Sequence, residues 1–247
     1  MGIFEIVKNR IIGQTTVGTH NERTRVDWLE TTLKKIPAGS RILDAGAGEQ
    51  QFRRFCSHLN YVSQDFAQYI PENDPSGLQM PKWDYGKLDI VSDIAGIPEA
   101  SASFDAIMCT EVFEHIINPR EAIFEFSRLL KKDGWLIITA PFCSLTHFAP
   151  YHFYTGFNRF FYETDLPANG FEIVELTPNG NYFEFLAQEV SRIPQMAGKY
   201  AAGSTIKRSE RVAMNVVLKL LERLSANNKR SEELLNFGLH VLARKIT

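Results

Sequence analysis

The chain has 247 residues, of which 44% are hydrophobic and 23% are charged, so it can form one large or two small domains with an ordinary core. The formal net charge of −2 hides an asymmetry. Residues 198–247 hold ten Lys and Arg against four Asp and Glu, whereas residues 1–197 hold 17 against 25. Binding to a long nucleic acid needs Lys and Arg along the contact path, so the acidic larger part argues against such a partner. The basic end indicates a solvated helix face, with an acidic partner, lipid headgroups or nucleic acid as alternatives.

The chain shows no pattern of export or membrane insertion. Residues 1–5 do not place a cationic segment before a sustained apolar one, as a signal peptide would. No uninterrupted apolar stretch approaches the ~18 residues of a membrane span. The three cysteines are widely spaced and odd in number, which suits a reducing compartment. We therefore expect a cytoplasmic protein without a transmembrane segment.

The N-terminal part is predicted to span residues 1–37. Residues 1–20 carry little periodicity, and apolar residues at helical spacing then predict a helix over 21–36. An Asn21 cap begins this helix, and the sequence Pro37-Ala38-Gly39 ends it.

A buried strand that ends in a glycine turn follows, and this stretch is the most informative of the chain. Residues 41–48 read Arg-Ile-Leu-Asp-Ala-Gly-Ala-Gly, so an apolar run ends in Asp44 and the turn Gly46-Ala47-Gly48 comes directly after it. The sequence predicts a helix that continues from this turn through Phe52 and Phe55. In open α/β sheets a nucleotide-like ligand binds at such a strand end, because glycine lets the backbone approach it closely.

Further strands with polar or acidic residues at their ends continue this pattern. An irregular connection rich in Pro and Gly is predicted over 67–87, and a helix over 119–132 begins with Pro119 in its first turn. The acids Asp65 and Asp93 stand near the ends of the second and third strands. The predicted strands are 61–65, 88–94, 104–109, 135–141 after a turn at 132–134, and 171–176 after a short helix at 163–169.

Two classes of ligand compete for the glycine turn. A dinucleotide site needs G-x-G-x-x-G so that a pyrophosphate can bind at the helix N-terminus. Here the sixth position is Gln51, and Asp44 lies close by. A cationic ligand with an ammonium and a sulfonium, such as S-adenosylmethionine, suits that acid better. A carboxylate at Asp65 can then bind both ribose hydroxyls.

Five motifs, in order over roughly residues 38–141, resemble those of a known family. They are LDAGAG (43–48), the acid Asp65, SDI (92–94), SFDAIMCTEVFEHI (103–116) and RLLKKDGWLIITAP (128–141). On these residues the chain resembles the class I S-adenosylmethionine-dependent methyltransferases. It departs from the family pattern at Gln50, where a third glycine is often found.

The resemblance implies an α/β fold with a Rossmann-like, seven-stranded, mostly parallel sheet and helices on both faces. It implies that the last strand, over 239–245, runs antiparallel to the others, so that residues 181–235 form a helical insertion between strands six and seven. This insertion either caps the substrate site or only adds core and packs a dimer. The predicted organisation is one methyltransferase domain with a cofactor-binding core over 38–180 and the last strand within 236–247.

The resemblance also implies which residues bind S-adenosylmethionine. Asp65 is expected to bind the ribose, Asp93 is expected to face the adenine amine, and Ile94 is expected to offer its backbone amide to the ring. The full predicted set is Asp44, Gly46, Ala47, Gly48, Asp65, Phe66, Asp93, Ile94 and Thr110.

The loop after strand five, residues 141–154, is predicted to carry the chemistry, because it lies at the same sheet edge. Histidine titrates near neutrality, so His147 and His152 are candidate general bases for a hydroxyl acceptor. The alternative for His147 is a hydrogen bond that shapes the loop. Tyr151 and Tyr154 are the predicted substrate contacts.

No group of His, Asp and Glu shows the sequence spacing of a metal site, so we expect no metal ion. His147, His152 and Glu111 could nevertheless converge in the fold, where a divalent ion would polarise a substrate hydroxyl. We interpret Glu114 and His115 as capping and packing residues, just inside a helix that follows strand four.

The sequence therefore favours a methyltransferase that moves a methyl group to an oxygen or nitrogen of a small molecule. A proline followed by H-x-x-P-x-x-F occurs in similar methyltransferases, many of which act on sugars or other small metabolites, so a sugar or natural-product intermediate is a candidate substrate. The alternatives are a cofactor-binding interaction module without turnover, an NAD-dependent oxidoreductase, and a methyltransferase of RNA or protein. The expected partners are a small-molecule substrate, no nucleic acid and, as an option, a second copy in a homodimer.

Overall fold

The structure of the protein is a computed structural model that describes residues 15–201 and 203–247. Residues 1–14 of the predicted N-terminal part therefore lie outside the described residues. The described residues separate into two compact units. The larger unit holds residues 25–177 and 238–247, and the smaller unit holds residues 15–24 and 178–237.

The described chain alternates strands and helices and then enters a helical region. The strands are β1 (Arg41–Ala45), β2 (Asn60–Asp65), β3 (Ile90–Val91), β4 (Phe104–Thr110), β5 (Leu130–Pro141), β6 (Phe171–Asn179) and β7 (Gly238–Lys245). The helices are α1 (Asn21–Leu33), α2 (Pro119–Leu129), α3 (Arg159–Ala168), α4 (Tyr182–Tyr200) and α5 (Arg208–Ala226). None of these described helices combines the length and the apolar character that crossing a bilayer requires.

The seven strands form one sheet in the order β3-β2-β1-β4-β5-β7-β6. The strands β3, β2, β1, β4 and β5 pair in parallel with their neighbours, so their carboxyl ends meet at one edge. The strand order reverses at β1, and ligands of such sheets bind beside this point. The predicted Rossmann-like fold with its helical insertion is confirmed.

The last strand runs against the others. β7 pairs antiparallel with β5. The Ile246 N–H donates to Gly170 O at 2.8 Å, and the Phe237 N–H donates to Asn179 O at 2.8 Å. The end of β7 therefore lies beside the start of β6, and the start of β7 lies beside the end of β6. These two strands are antiparallel, so β6 runs in the same direction as β5.

Alternate residues of the central strands face two separate core layers. Leu43 and Ile107 are buried in the layer that contains α2, whereas Ile42 and Met108 are buried in the layer that contains Leu29 of α1. This period of two is what a sheet covered on both faces requires. Each such side chain contributes about 1.5–3 kcal/mol through its burial.

The smaller unit is built on helices α4 and α5, which correspond to the predicted helical insertion. Val17, Ala187 and Leu221 are buried together there. The Asn181 side chain begins α4 by accepting hydrogen bonds from two amide groups of the first turn, as an N-cap residue does.

Several predicted helix boundaries are wrong. The helix predicted over 21–36 ends at Leu33, and the helix predicted over 119–132 ends at Leu129. The helix expected from the glycine turn through Phe52 and Phe55 is only a 3₁₀ turn, Arg53–Phe55. Gln50 (φ +57°) has a left-handed backbone that a right-handed helix cannot contain. The helix predicted over 163–169 begins earlier, because the Asn158 side chain accepts the Phe160 N–H at 3.1 Å and so caps α3.

The turn predicted at residues 132–134 lies inside β5. Asp133 (φ +64°) takes the turn-like conformation that its sequence suggests. The pairing of β5 with β4 shifts register between Phe104 and Ala106. The register shift leaves additional residues of β5 unpaired between Leu130 and Trp135, as in a β-bulge. The strand therefore begins at Leu130, and α2 ends before it.

The third strand is shorter than the predicted 88–94. The Asp89 side chain accepts both the N–H and the hydroxyl of Ser63, at 2.9 and 2.8 Å. The carboxylate of Asp89 thus accepts the backbone N–H of Ser63 in β2, where a backbone carbonyl of the neighbouring strand would otherwise accept it. The backbone pairing of β3 with β2 therefore covers only Ile90–Val91.

Candidate active site

The turn after β1 brings the backbone close to the ligand edge of the sheet. Gly46 (φ +77°) and Gly48 (φ +51°) both have left-handed conformations. A Cβ atom at Gly46 would lie 2.5 Å from Val112 Cγ2, and one at Gly48 would lie 2.8 Å from Trp83 Cζ2. Glycine is therefore required at both positions of this glycine turn (46–48).

Asp65, at the end of β2, is tied to the glycine turn. Its Oδ2 accepts the Gly48 N–H at 2.9 Å, and its Oδ1 accepts the Ala67 N–H at 3.0 Å. Burial raises the pKa of Asp65, and these two hydrogen bonds act in the opposite direction. The Ala47 N–H donates to Gln64 O at 2.8 Å, so the whole turn is fixed against β2.

Asp44, at the end of β1, is a buried acid with 3% exposure. The Tyr61 hydroxyl donates to its Oδ2 at 2.5 Å. Burial raises the pKa of Asp44 to about 7, although the Tyr61 hydrogen bond lowers it, and the charge of Asp65 adds to the increase. A cation would compensate the lost solvation, so this carboxyl favours a positively charged ligand group.

Three other predicted cofactor residues follow β3 or end β4. The Thr110 Oγ1 is buried and has no hydrogen-bond partner among the described residues. Ile94 is buried, whereas Asp93 is exposed and accepts the Ala95 N–H at 2.8 Å. These three residues therefore follow strand β3 or end strand β4, as predicted. Their contacts with a ligand stay predictions.

Aromatic side chains connect the glycine turn with the loop after β5. Trp83, which lies against Gly48, is edge-on to Phe148, with ring centroids 4.8 Å apart. Tyr69 stacks on Phe148 at 4.3 Å. Residues from two loops therefore cover the turn together.

The irregular connection over 67–87 is held by contacts that the sequence does not reveal. Gln50 Nε2 donates to Tyr85 O and Lys87 O, at 3.0 Å each. The Leu78 N–H donates to Thr146 O at 2.8 Å. The side chain of Gln50, which stands where the family often has a glycine, therefore anchors this connection.

Three histidines, His115, His147 and His152, form a histidine cluster beside Phe148. The His147 ring lies 4.6 Å from the His115 ring and 5.0 Å from the His152 ring, and the His115 ring lies 5.0 Å from that of Phe148. Burial lowers the pKa of His115 to about 3 and also lowers the pKa of His152, and the neighbouring His147 adds to both effects. Both rings are therefore neutral near pH 7.

The buried carboxyl of Glu114 faces the histidine cluster. Its Oε1 lies 3.6 Å from His115 Nε2 and 3.9 Å from His147 Nε2. Burial, followed by the charge of Glu111, raises the pKa of Glu114 well above its usual range. Glu111, which could also have converged with the histidines, pairs with Arg25 at 2.9 Å instead. The converging acid is therefore Glu114.

Glu114 and His115 lie in a helix that follows β4, as predicted, but it is only the short 3₁₀ helix Phe113–His115, before α2 begins. Glu114 is buried there, and among the described residues no side chain caps this helix. Glu111 (φ +55°) gives the chain a sharp turn at the end of β4, and the two side chains then meet the loop after β5. The only sequence signal was an adjacent acid and histidine after a strand end, which is too common to specify a site.

The two predicted substrate tyrosines have different surroundings. The Tyr151 ring is edge-on to Phe66 at 4.9 Å, and its carbonyl oxygen lies 2.6 Å from His115 Nδ1. The Tyr154 hydroxyl donates to Ile117 O at 2.8 Å. Tyr151 therefore joins the predicted cofactor residue Phe66 to the histidine cluster, whereas the Tyr154 hydroxyl is bound to the backbone.

Comparison with known proteins gives the class of this chain. A family model described as a methyltransferase domain matches residues 18–176, which is more than half of the chain. The chain therefore belongs to the methyltransferase domain family. This match confirms the predicted family and, with it, S-adenosylmethionine as the cofactor.

The curated relatives cover part of the chain. A ubiquinone biosynthesis O-methyltransferase of Xanthomonas axonopodis pv. citri is 30% identical over 122 residues, which are 47% of this chain and 48% of that protein. The protein of the same name from Dechloromonas aromatica is 27% identical over 124 residues, 47% of this chain and 49% of that protein. The chain spans about half the length of the curated relatives it matches.

Solved structures share the fold at low sequence identity. The 4+2 cyclase SpnF has a TM-score of 0.52 and 17% identity, covering 90% of this chain and 82% of its own. Phosphoethanolamine N-methyltransferase 2 of Haemonchus contortus, solved with S-adenosyl-L-methionine, has a TM-score of 0.50 and 19% identity, covering 89% and 52%. A cyclase among these structures means that the fold alone does not specify the reaction.

The residues at this sheet edge fit S-adenosylmethionine. The glycine turn leaves no room for a Cβ, Asp44 is a buried acid that a cation would stabilise, and Thr110 has a buried hydroxyl oxygen without a partner among the described residues. These are features that a bound cationic nucleoside would satisfy.

Proposed function

We propose that this chain transfers the methyl group of S-adenosylmethionine to a hydroxyl oxygen of a small molecule. The observation that carries the proposal is the position of the histidine cluster, which Phe148 and Trp83 connect to the glycine turn. A hydroxyl acceptor gains from a general base, whereas an amine needs less help, so neutral histidines at this place favour oxygen. The matched curated relatives are also named O-methyltransferases.

The residues of the chain bind and align the two reactants. S-adenosylmethionine, when bound, supplies a methyl group on a positively charged sulfonium that is already activated. Asp44 would attract the cationic end, Asp65 would bind the ribose hydroxyls, and Asp93 with the Ile94 amide would bind the adenine. Because the leaving group needs no activation, the alignment of donor and acceptor is the main task of the protein.

His152 is the better of the two predicted bases. Its ring is neutral near pH 7 because burial lowers its pKa, and its Nε2 lies 3.2 Å from Ser144 Oγ. His147 instead has its Nδ1 at 2.8 Å from Leu145 O and directs Nε2 towards Glu114. We therefore assign proton acceptance to His152 and a positioning role to His147.

The acceptor is a small molecule with a ring. The predicted sugar or natural-product intermediate stays the candidate class. Support for a ring comes from the aromatic side chains beside the histidine cluster, Phe148, Tyr151 and Phe66, because aromatic faces pack well against flat groups. Tyr151 and Tyr154 are the proposed substrate contacts.

The experiment is turnover with a panel of hydroxyl and amine acceptors, in which mass spectrometry detects S-adenosylhomocysteine and the methylated product. We expect methylation of a hydroxyl, and we expect His152→Ala to lower turnover by about 100-fold or more without changing cofactor affinity. His20→Ala is the control. Methylation of amines alone would contradict the assignment to oxygen, and equal small effects of His147→Ala and His152→Ala would place the base elsewhere.

A second candidate function is an interaction module that binds the cofactor without turnover. Helix α5 favours it, because Val212, Val216, Val217 and Leu220 are between 41% and 50% exposed on a helix that also carries basic residues. Intact binding of S-adenosylhomocysteine together with no turnover of any acceptor would support this alternative.

A further inference from the structure

The histidine cluster has a feature that the proposed methyl transfer does not require. His115 and His147 both direct Nε2 towards Oε1 of Glu114, at 3.6 and 3.9 Å. One ligand atom from each of these three side chains lies within 4.8 Å of the other two. Over residues 15–201 and 203–247, no other group of three His, Cys, Asp or Glu side chains is arranged in this way.

Both histidines are held in the form that a metal ligand needs. His115 Nδ1 lies 2.6 Å from Tyr151 O, and His147 Nδ1 lies 2.8 Å from Leu145 O. A carbonyl oxygen can only accept, so each Nδ1 carries a proton, and Nε2 is the ring nitrogen that faces Glu114. Metal sites in proteins orient their histidines by this kind of second hydrogen bond.

The distances around Glu114 suit an ion better than a direct hydrogen bond. An N–H···O bond is about 2.7–3.2 Å long, and the two Nε2 atoms lie farther than this from Oε1. Two ligands at about 2.1 Å from a tetrahedral ion lie about 3.4 Å apart. Glu114 Oε1 therefore lies within about half an ångström of the spacing that such an ion would set with each histidine.

Glu114 provides an independent observation that points to a ligand. Its side chain is 1% exposed, and its Oε2 is buried without a hydrogen-bond partner among the described residues. A buried carboxylate is costly unless a positive charge or a metal ion compensates it. The nearby cation Arg25 pairs with Glu111, and its charge offsets the burial of Glu114 only in part, since the pKa of Glu114 stays well above its usual range.

We propose that Glu114, His115 and His147 bind a divalent transition-metal ion. Two imidazoles and one carboxylate are a ligand set that suits Zn²⁺ and its first-row neighbours, whereas Mg²⁺ and Ca²⁺ prefer oxygen ligands. Three protein ligands leave an open position. Its use rests on the proposed function, because an acceptor hydroxyl bound there would lose its proton more easily to His152.

The test is direct metal binding by the full chain after chelator treatment. The protein is dialysed against Zn²⁺, Co²⁺ or Mg²⁺, bound metal is measured by mass spectrometry, and the visible spectrum of the Co²⁺ form reports the ligand geometry. We expect one Zn²⁺ or Co²⁺ per chain. Glu114→Gln and His147→Ala should each lower the affinity by about 100-fold or more, because changing a residue that only orients a metal ligand already costs about 10- to 100-fold.

Glu121→Gln, which changes an exposed glutamate of α2, is the matched control. His147→Ala changes a loop residue that is 26% exposed, so it serves if the buried Glu114 variant does not fold. No bound Zn²⁺ or Co²⁺, equal binding in all variants, or tighter binding of Mg²⁺ than Zn²⁺ would overturn the proposal. Binding of S-adenosylhomocysteine is measured in parallel, and its absence from wild-type protein would contradict the proposed function without affecting the metal result.

Discussion

Asp44 and Asp65 are close enough for their charges to interact, but their surroundings differ. Asp44 has one hydrogen bond, from a tyrosine hydroxyl, whereas Asp65 is held by two backbone amides. Amide donors stabilise a carboxylate, and burial without them favours the neutral acid. The two acids should therefore respond differently to pH and to substitution.

Asp44 should make the affinity for S-adenosylhomocysteine depend on pH. Because burial raises its pKa to about 7, the ionised fraction grows as the pH rises from about 6 to about 7.5, by up to about eightfold. Only the carboxylate attracts the ammonium of the ligand, so affinity should rise over this range. Calorimetry measures it, and Asp44→Asn corrects for the titration of the ligand. Identical pH profiles of wild type and variant would remove Asp44 from the site.

Asp65→Ala should weaken the binding of S-adenosylhomocysteine. A hydrogen bond to a charged group contributes about 1.5–3 kcal/mol, which corresponds to about 10- to 150-fold in affinity. Calorimetry on the folded variant measures this loss, with Asp27→Ala, which changes an exposed aspartate of α1, as control. An unchanged affinity would show that Asp65 holds only the glycine turn and does not bind the ribose.

At the scale of elements, the sequence predicts those features whose signals are local. Apolar runs gave the strands, and an acid followed by Gly46 and Gly48 gave the turn, because the left-handed conformations there require glycine. Long-range contacts have no such signal. The backbone hydrogen bond from Leu78 N–H to Thr146 O depends on how two loops pack, and no spacing in the sequence indicates it.

The role of Glu114 was also not predictable from the sequence. Its position depends on the sharp turn at Glu111, a non-glycine residue with φ +55°. The sequence pattern indicates a helix there, but it does not show that the helix is a single 3₁₀ turn, Phe113–His115. The contact of Glu114 with the histidines therefore depends on a backbone conformation that the sequence does not reveal.

Gln50→Gly should separate two effects of this side chain. Glycine relieves the left-handed strain of about 1–2 kcal/mol, but it removes three side-chain hydrogen bonds, with Tyr85 O, Lys87 O and Arg53, each of which contributes about 0.5–1.5 kcal/mol. The free energy of unfolding should therefore change by less than about 4 kcal/mol, while residues 67–87 become more sensitive to proteases. Denaturant unfolding and limited proteolysis measure the two effects, with the exposed Gln51→Gly as control. Unaltered proteolysis would mean that Gln50 does not anchor the connection.

At the scale of the whole molecule, the two compact units differ in charge. The smaller unit contains most of the basic C-terminal residues, and the larger unit carries the acids of the sheet edge. The assignment of residues 181–235 as a cap stays a prediction. The option of a homodimer also stays a prediction, and light scattering of the purified chain tests it.

Hydrogen exchange tests the predicted cap. A cap must open for substrate, so the amides of α4 should exchange faster than residues 136–139 of β5 in the free protein. S-adenosylhomocysteine together with an acceptor should slow the exchange of α4. Slow exchange of α4 that neither ligand alters would leave this helix a structural or dimer-forming role.

The carboxyl edge of this sheet is expected to bind S-adenosylmethionine rather than a dinucleotide. The most direct measurement is a calorimetric titration of the full chain with S-adenosylhomocysteine and, separately, with NAD. We expect saturable binding of one S-adenosylhomocysteine per chain and no binding of NAD, because Asp44 disfavours a pyrophosphate. Saturable binding of NAD, or no binding of S-adenosylhomocysteine by the folded protein, would contradict this expectation.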